Sequence, residues 1–105
     1  MEKIVEQGIL YDFYGSLLTR HQQTVYEQLV YNDMSLNEIA EVQQISKQAV
    51  HDLIRRTTAQ MKDYEDKLHM VERFRTIRRQ CEQIQEAAAG NETIIALAEQ
   101  IKQEL

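Results

Sequence analysis

Ser46, Lys47, Gln48, His51, Arg55 and Arg56 stand close together and are the side chains of this chain best suited to meeting a charged partner. Lysine and arginine bind phosphates and guanine edges, glutamine pairs with adenine, and a serine hydroxyl can meet a phosphate. At helical spacing Lys47, Gln48, His51 and Arg55 share one face. The pattern predicts a DNA-contacting face, with Ser46, Arg55 and Arg56 holding phosphates. Its alternative is the solvated face of an ordinary helix. A second basic group, Arg73, Arg75, Arg78 and Arg79, suits phosphates of RNA or DNA. It suits equally well internal pairing with Asp63, Glu65, Asp66, Glu82 and Glu86.

Other chemistry finds little support. His21, His51 and His69 are scattered, with no HExxH-like spacing, so no metal site is expected. Cys81 is the single cysteine and falls on an apolar seam, which reads as a small core residue. There is no nucleophile elbow, phosphate loop or paired-carboxylate arrangement, so neither an enzyme nor a bound cofactor is expected. The five tyrosines fall on or beside apolar stripes and read as core and rim.

The net charge of −5 disfavours strong, unspecific binding to nucleic acid, but it is unevenly spread. Residues 1–45 hold two cations and seven anions, residues 46–79 nine and five, and residues 80–105 one and five. Segment charges of −5, +4 and −4 follow, so only the basic middle suits a phosphate backbone. No apolar stretch approaches the ~20 residues of a membrane span. The start Met1-Glu2-Lys3-Ile4 lacks the regions of a secretory signal. A cytoplasmic protein without membrane insertion is expected.

The elements that position these residues are helices. With no proline and only three glycines in 105 residues, and no alternating β-branched run, the chain reads as all-α. A first helix is predicted from about Glu2 to Leu18, burying Leu10, Phe13, Tyr14, Leu17 and Leu18. Gly15 within it suggests a close helix crossing. Thr19 with Gln22, and Ser35 with Glu38, form two capping boxes, which start a second helix to about Tyr31 and a short third one. Ser46 caps a fourth, leaving Gln43-Gln44-Ile45 between two helices, the turn length of a helix-turn-helix. In that turn Gln44 stands where glycine would tolerate positive φ cheaply, and Val42 is expected to supply the apolar contact that Gln43 lacks.

From Lys47 onward no glycine intervenes before Gly90. Val50, Ile54, Thr57, Met61, Tyr64, Leu68 and Val71 form a heptad-like seam, whose alternation fails at Phe74 and Ile77. A bend or break near residues 69–74 is expected. Gly90 then closes this helix, Asn91 caps a last one, and Ile94, Leu97, Ala98, Ile101 and Leu105 share a face. The whole is a five- to six-helix domain over residues 1–105, with a helix-turn-helix part at 1–58 and a C-terminal helical part at 59–105. The seam also admits a homodimer, which would present two recognition helices to two-fold half-sites.

The segment from Ser35 to Arg56, with Leu18-Thr19 and Gln22 ahead of it, resembles the region 4-like helix-turn-helix of sigma factors. Across nearly its whole length the chain resembles the small bacterial YlxM family. Asp12-Phe13-Tyr14, Leu17-Leu18-Thr19, Glu38-Ile39-Ala40-Glu41, Ser46-Lys47-Gln48-Ala49-Val50 and Tyr64-Glu65 with Lys67-Leu68 carry the likeness. The resemblance implies a helix-turn-helix regulator linked, through gene neighbourhood, to the signal recognition particle pathway. Three functions follow as expectations. One is a DNA-binding regulator acting through residues 46–56. Another is an RNA or ribonucleoprotein accessory factor, suited to a signal recognition particle component and acting through Arg73 to Arg79. The third is a protein-interaction module that uses the helix-turn-helix as scaffold.

Overall fold

The computed structural model describes residues 3–105, and among these the chain is all-α, with no strand. Six helices run in order: α1 (Lys3–Tyr14), α2 (Arg20–Val30), α3 (Leu36–Gln43), α4 (Lys47–Leu68), α5 (Met70–Ala87) and α6 (Glu92–Gln103). The expected start at Glu2 lies outside the described residues. After Leu68 the chain divides into two compact units, the second being His69–Leu105. The sequence reading parts the chain at residue 58. The first unit runs past that point because α4 is unbroken there and Met61 on it is fully buried.

In the first unit α4 packs against α1, α2 and α3. Val25, Tyr26, Ile39, Val50 and Met61 have no exposed surface and form its centre. Fully burying each such aliphatic side chain contributes about 1.5–3 kcal/mol, which outweighs the weak helix propensity of Val and Ile. Polar pairs then fix how the helices meet. The Gln7 amide of α1 donates to Thr58 Oγ1 of α4 at 3.4 Å, and the Tyr26 hydroxyl of α2 lies 2.7 Å from the same oxygen. Tyr11 stacks on Tyr26 with ring centroids 5.5 Å apart and donates to Glu27. Tyr14 reaches Glu65 of α4. Burial first, then the bond to Glu27, pushes the Tyr11 hydroxyl well above its ordinary pKa.

The helix starts follow the capping signals. Thr19 and Gln22 exchange bonds at 2.9 and 3.2 Å, and Ser35 and Glu38 do so at 3.1 Å both ways. The backbone N–H of Ser35, followed by its side chain, holds the Glu38 carboxyl below its usual pKa. Asn91 Oδ1 accepts from the Ile94 N–H at 3.2 Å to start α6. The break falls at His69, whose φ of 55° ends α4 and begins α5.

Several apolar positions differ from expectation. α1 ends at Tyr14, and a single 3-10 turn, Gly15–Leu17, follows. That tighter winding rotates Leu17 outward to 53% exposure, while Leu18 stays buried. Gly15 is required by the helix just before it and not by a helix crossing: a Cβ there would lie 2.9 Å from the ring of Tyr11 on α1. Val42 is 60% exposed and does not replace the missing apolar contact. Gln43 is half-buried instead, and its amide donates to Gln28 Oε1 at 3.4 Å, so a polar contact joins α2 and α3.

The second unit is a hairpin in which α5 packs along α6. Gln85 Nε2 crosses it to the Ile95 carbonyl at 3.2 Å and to Glu99 at 3.0 Å. That bond, ahead of Lys102 and Arg78, lowers the Glu99 pKa. Gly90 closes the turn at φ 91°. Within the hairpin only Val71, Cys81 and Ala98 are buried apolar residues. Ile94, Leu97 and Ile101 share a face, as expected, but are 40–54% exposed.

Candidate nucleic-acid interface

The turn between α3 and α4 sets the geometry of the basic helix. Gln44 adopts φ 56° and ψ 44°, the left-handed conformation, and the Ile45 N–H reaches back to the Ala40 carbonyl at 3.1 Å. This is the hydrogen-bond pattern by which helices commonly end at glycine, achieved here with glutamine. Replacing Gln44 with glycine is expected to raise the unfolding free energy by about 1 kcal/mol, because a Cβ is strained in this conformation. Urea denaturation followed by helical circular dichroism checks it, with an unchanged or lowered midpoint as the contrary result.

Ser46 Oγ accepts from the Ala49 N–H at 3.0 Å and so caps α4. Val50, Ile54, Thr57 and Thr58 turn the opposite side of α4 into the core, which forces Lys47, Gln48, His51, Arg55 and Arg56 outward. Lys47, Gln48 and His51 lie together with Leu36 of α3 along one shallow depression. His51 and Arg55 also border a cleft between α1 and α4, shared with Lys3 and Lys62. Arg56 falls on the other side of the helix, beside Gln22 and Asp52. The predicted residues thus form two flanks of one exposed surface.

Asp52 sits among them and was missing from the sequence reading. Gln48 Nε2 donates to its carboxylate at 3.1 Å, Arg55 Nη2 lies 3.7 Å away and His51 Nδ1 3.8 Å. A negative charge therefore stands inside the basic face and organises it. Its signal in the sequence is the i, i+4 spacing from Gln48, which the charge count of the segment conceals. Lys3 and Lys62 were also missed: Lys62 stands two turns beyond Arg55 on the same side of α4, and the packing of α1 on α4 brings Lys3 beside them.

Arg73, Arg75, Arg78 and Arg79 are all exposed on α5, in the second unit. At about 100° per residue, Arg75, Arg78 and Arg79 share one side of that helix and Arg73 points to another. Among the described residues no helix is long and apolar enough to cross a membrane.

A three-residue turn between two capped helices, the second exposing a polar and basic face, defines a helix-turn-helix protein. The family described as "Putative helix-turn-helix protein, YlxM / p13 like" matches residues 1–101, and the chain belongs to it. The UPF0122 protein YlxM of Bacillus subtilis (strain 168) is 38% identical over 105 residues, covering 97% of this chain and 96% of its own. A UPF0122 protein of Shouchella clausii (strain KSM-K16) is 38% identical over 96 residues, 91% of this chain and 88% of its own. One from Bacillus thuringiensis (strain Al Hakam) is 45% identical over 74 residues, 70% of this chain and 67% of its own.

Proposed function

We propose that this protein is a DNA-binding regulator that lays the first turns of α4 in the major groove. The observation that carries this is the placement of Lys47, Gln48 and His51 together on the exposed N-terminal part of the second helix of a helix-turn-helix. In such folds that part of the helix meets base edges. Lys47 suits a guanine and Gln48 an adenine, while Ser46, Arg55 and Arg56 hold phosphates. A second copy completes the reading, because two recognition helices match two half-sites.

Selection from pools of random duplex DNA at moderate salt tests it. An enriched sequence is expected, with two related half-sites if the dimer binds as a unit. A pool that remains random after selection would overturn the reading.

A second reading has one observation in its favour, the shared side of Arg75, Arg78 and Arg79 on α5. Three guanidinium groups so placed suit RNA phosphates, such as those of a signal recognition particle component. Reversing the charge of Arg75 and Arg78 then abolishes retention of RNA, whereas changes at residues 47–51 do little.

A further inference from the structure

We propose that the α5–α6 hairpin is a dimerisation element that packs face to face on a second copy of itself, with the two-fold axis running along the hairpin. This stands independently of what α4 binds. A helical unit of this length, below about 40 residues, has too little interior to hold itself together, and oligomerisation is one of the usual remedies. Of the hairpin's apolar residues only Val71, Cys81 and Ala98 are buried, and all three side chains are modest in size. The hairpin's larger aliphatics point elsewhere. Ile77 and Ile84 of α5 are 36% and 44% exposed, and Ile94, Leu97 and Ile101 of α6 are 40%, 54% and 47% exposed.

These five side chains lie on the same side of the hairpin. Ile77 and Ile84 are seven residues apart, two turns of α5, as are Ile94 and Ile101 on α6. Gln85, bonded across to Ile95 and Glu99, fixes which edge of each helix faces the other. Turning the two helices about those edges brings both stripes to one surface, because α6 runs antiparallel to α5. The exposed apolar area is on the order of 400 Å² per copy, comparable with the largest functional patches of soluble proteins.

The rims select a second copy as the occupant. Arg73 borders the stripe on the outer edge of α5, about 40° from Ile77, and Glu104 borders it on the outer edge of α6, about 60° from Ile101. Both are exposed and both lie at the open end of the hairpin, away from Gly90. A two-fold axis along the hairpin lays α5 on the partner's α6 and returns the same height to the same height. Arg73 of each copy then faces Glu104 of the other, twice per dimer. A two-fold across the hairpin would instead set Arg73 opposite the partner's α5 near Ala87 and move it away from Glu104. The product of the first arrangement is an antiparallel four-helix bundle.

Sedimentation equilibrium of the full chain, without nucleic acid, tests the proposal. The expected mass is twice 12.4 kDa, and Leu97→Glu with Ile101→Glu gives a monomer that keeps its helical circular dichroism. A charge-swap series decides the geometry even if that variant aggregates. Arg73→Glu and Glu104→Arg are each expected to raise the dimer dissociation constant about tenfold, as two ion pairs become two repulsions, and the double swap restores it. A wild-type monomer at all concentrations overturns the proposal. So does a dimer indifferent to Leu97→Glu, or swaps that do not compensate. A different protein that covers the face would leave the purified chain monomeric, which is the overturning result.

Discussion

Replacing Lys47 and Gln48 together by alanine is expected to remove sequence-specific binding to duplex DNA, at ~1–3 kcal/mol for each lost base contact. Two contacts of that size correspond to a loss of about 30-fold to about 20,000-fold. The fold should not notice, because both side chains are exposed and alanine is the better helix former. Arg55→Ala and Arg56→Ala should behave differently, weakening all sequences alike and reducing the salt slope by about 1 each. Asp52 supplies the counter-arm. Its carboxylate ties up Gln48 and stands beside Arg55 and His51, so Asp52→Ala frees all three and removes a charge that repels phosphate. Affinity for duplex of any sequence should then rise severalfold while discrimination between sequences falls. Gel-shift or anisotropy titrations over a salt series, with a thermal melt as control, separate these outcomes. If Lys47→Ala, Gln48→Ala and the parent bind alike, α4 does not read bases.

How far the sequence carries this picture depends on the range over which each feature is decided. The capping pairs Thr19–Gln22 and Ser35–Glu38, and the lone caps Ser46 and Asn91, are settled within four residues and were readable directly. The break at His69 was readable as a fault in a seven-residue pattern, although no glycine or proline marks it. Positions decided by a neighbouring helix were not. Leu17 looks core-facing on a continuous α1 and points outward because the winding tightens at Gly15. Gln43 looks like a defect until Gln28 is beside it. The candidate interface divides the same way: its cations, Lys62 among them, could be read along one helix, whereas Lys3 joins them only through packing. Asp52 was overlooked for a simpler reason, since a count of net charge over residues 46–79 sums five acids and nine bases without saying which acid stands among which bases.

The first unit holds α4 in place through Tyr26, and its removal should have the largest effect on stability. Tyr26→Ala is expected to cost ~3–5 kcal/mol, by emptying a fully buried ring that stacks on Tyr11. That is a large share of the roughly 5–15 kcal/mol of a small domain, so DNA binding should fail with it at moderate temperature. The hydroxyl's part can be isolated by direction. Thr58 Oγ1 has one hydrogen, and it is donated to the Ile54 carbonyl at 2.8 Å. The 2.7 Å contact with Tyr26 must therefore run from the tyrosine to the threonine oxygen. Burial is the main reason the Tyr26 pKa is raised, so the hydroxyl stays protonated and able to donate. Tyr26→Phe removes that donor but leaves Thr58 Oγ1 with Gln7 and Ile54 as partners, at a loss of about 0.5–1.5 kcal/mol. Thr58→Val strands a buried tyrosine hydroxyl instead, at about 1–3 kcal/mol. Urea midpoints should fall in the order Tyr26→Ala, then Thr58→Val, then Tyr26→Phe. A Tyr26→Phe variant less stable than Thr58→Val would show that the bond runs the other way, from Thr58 to the tyrosine oxygen.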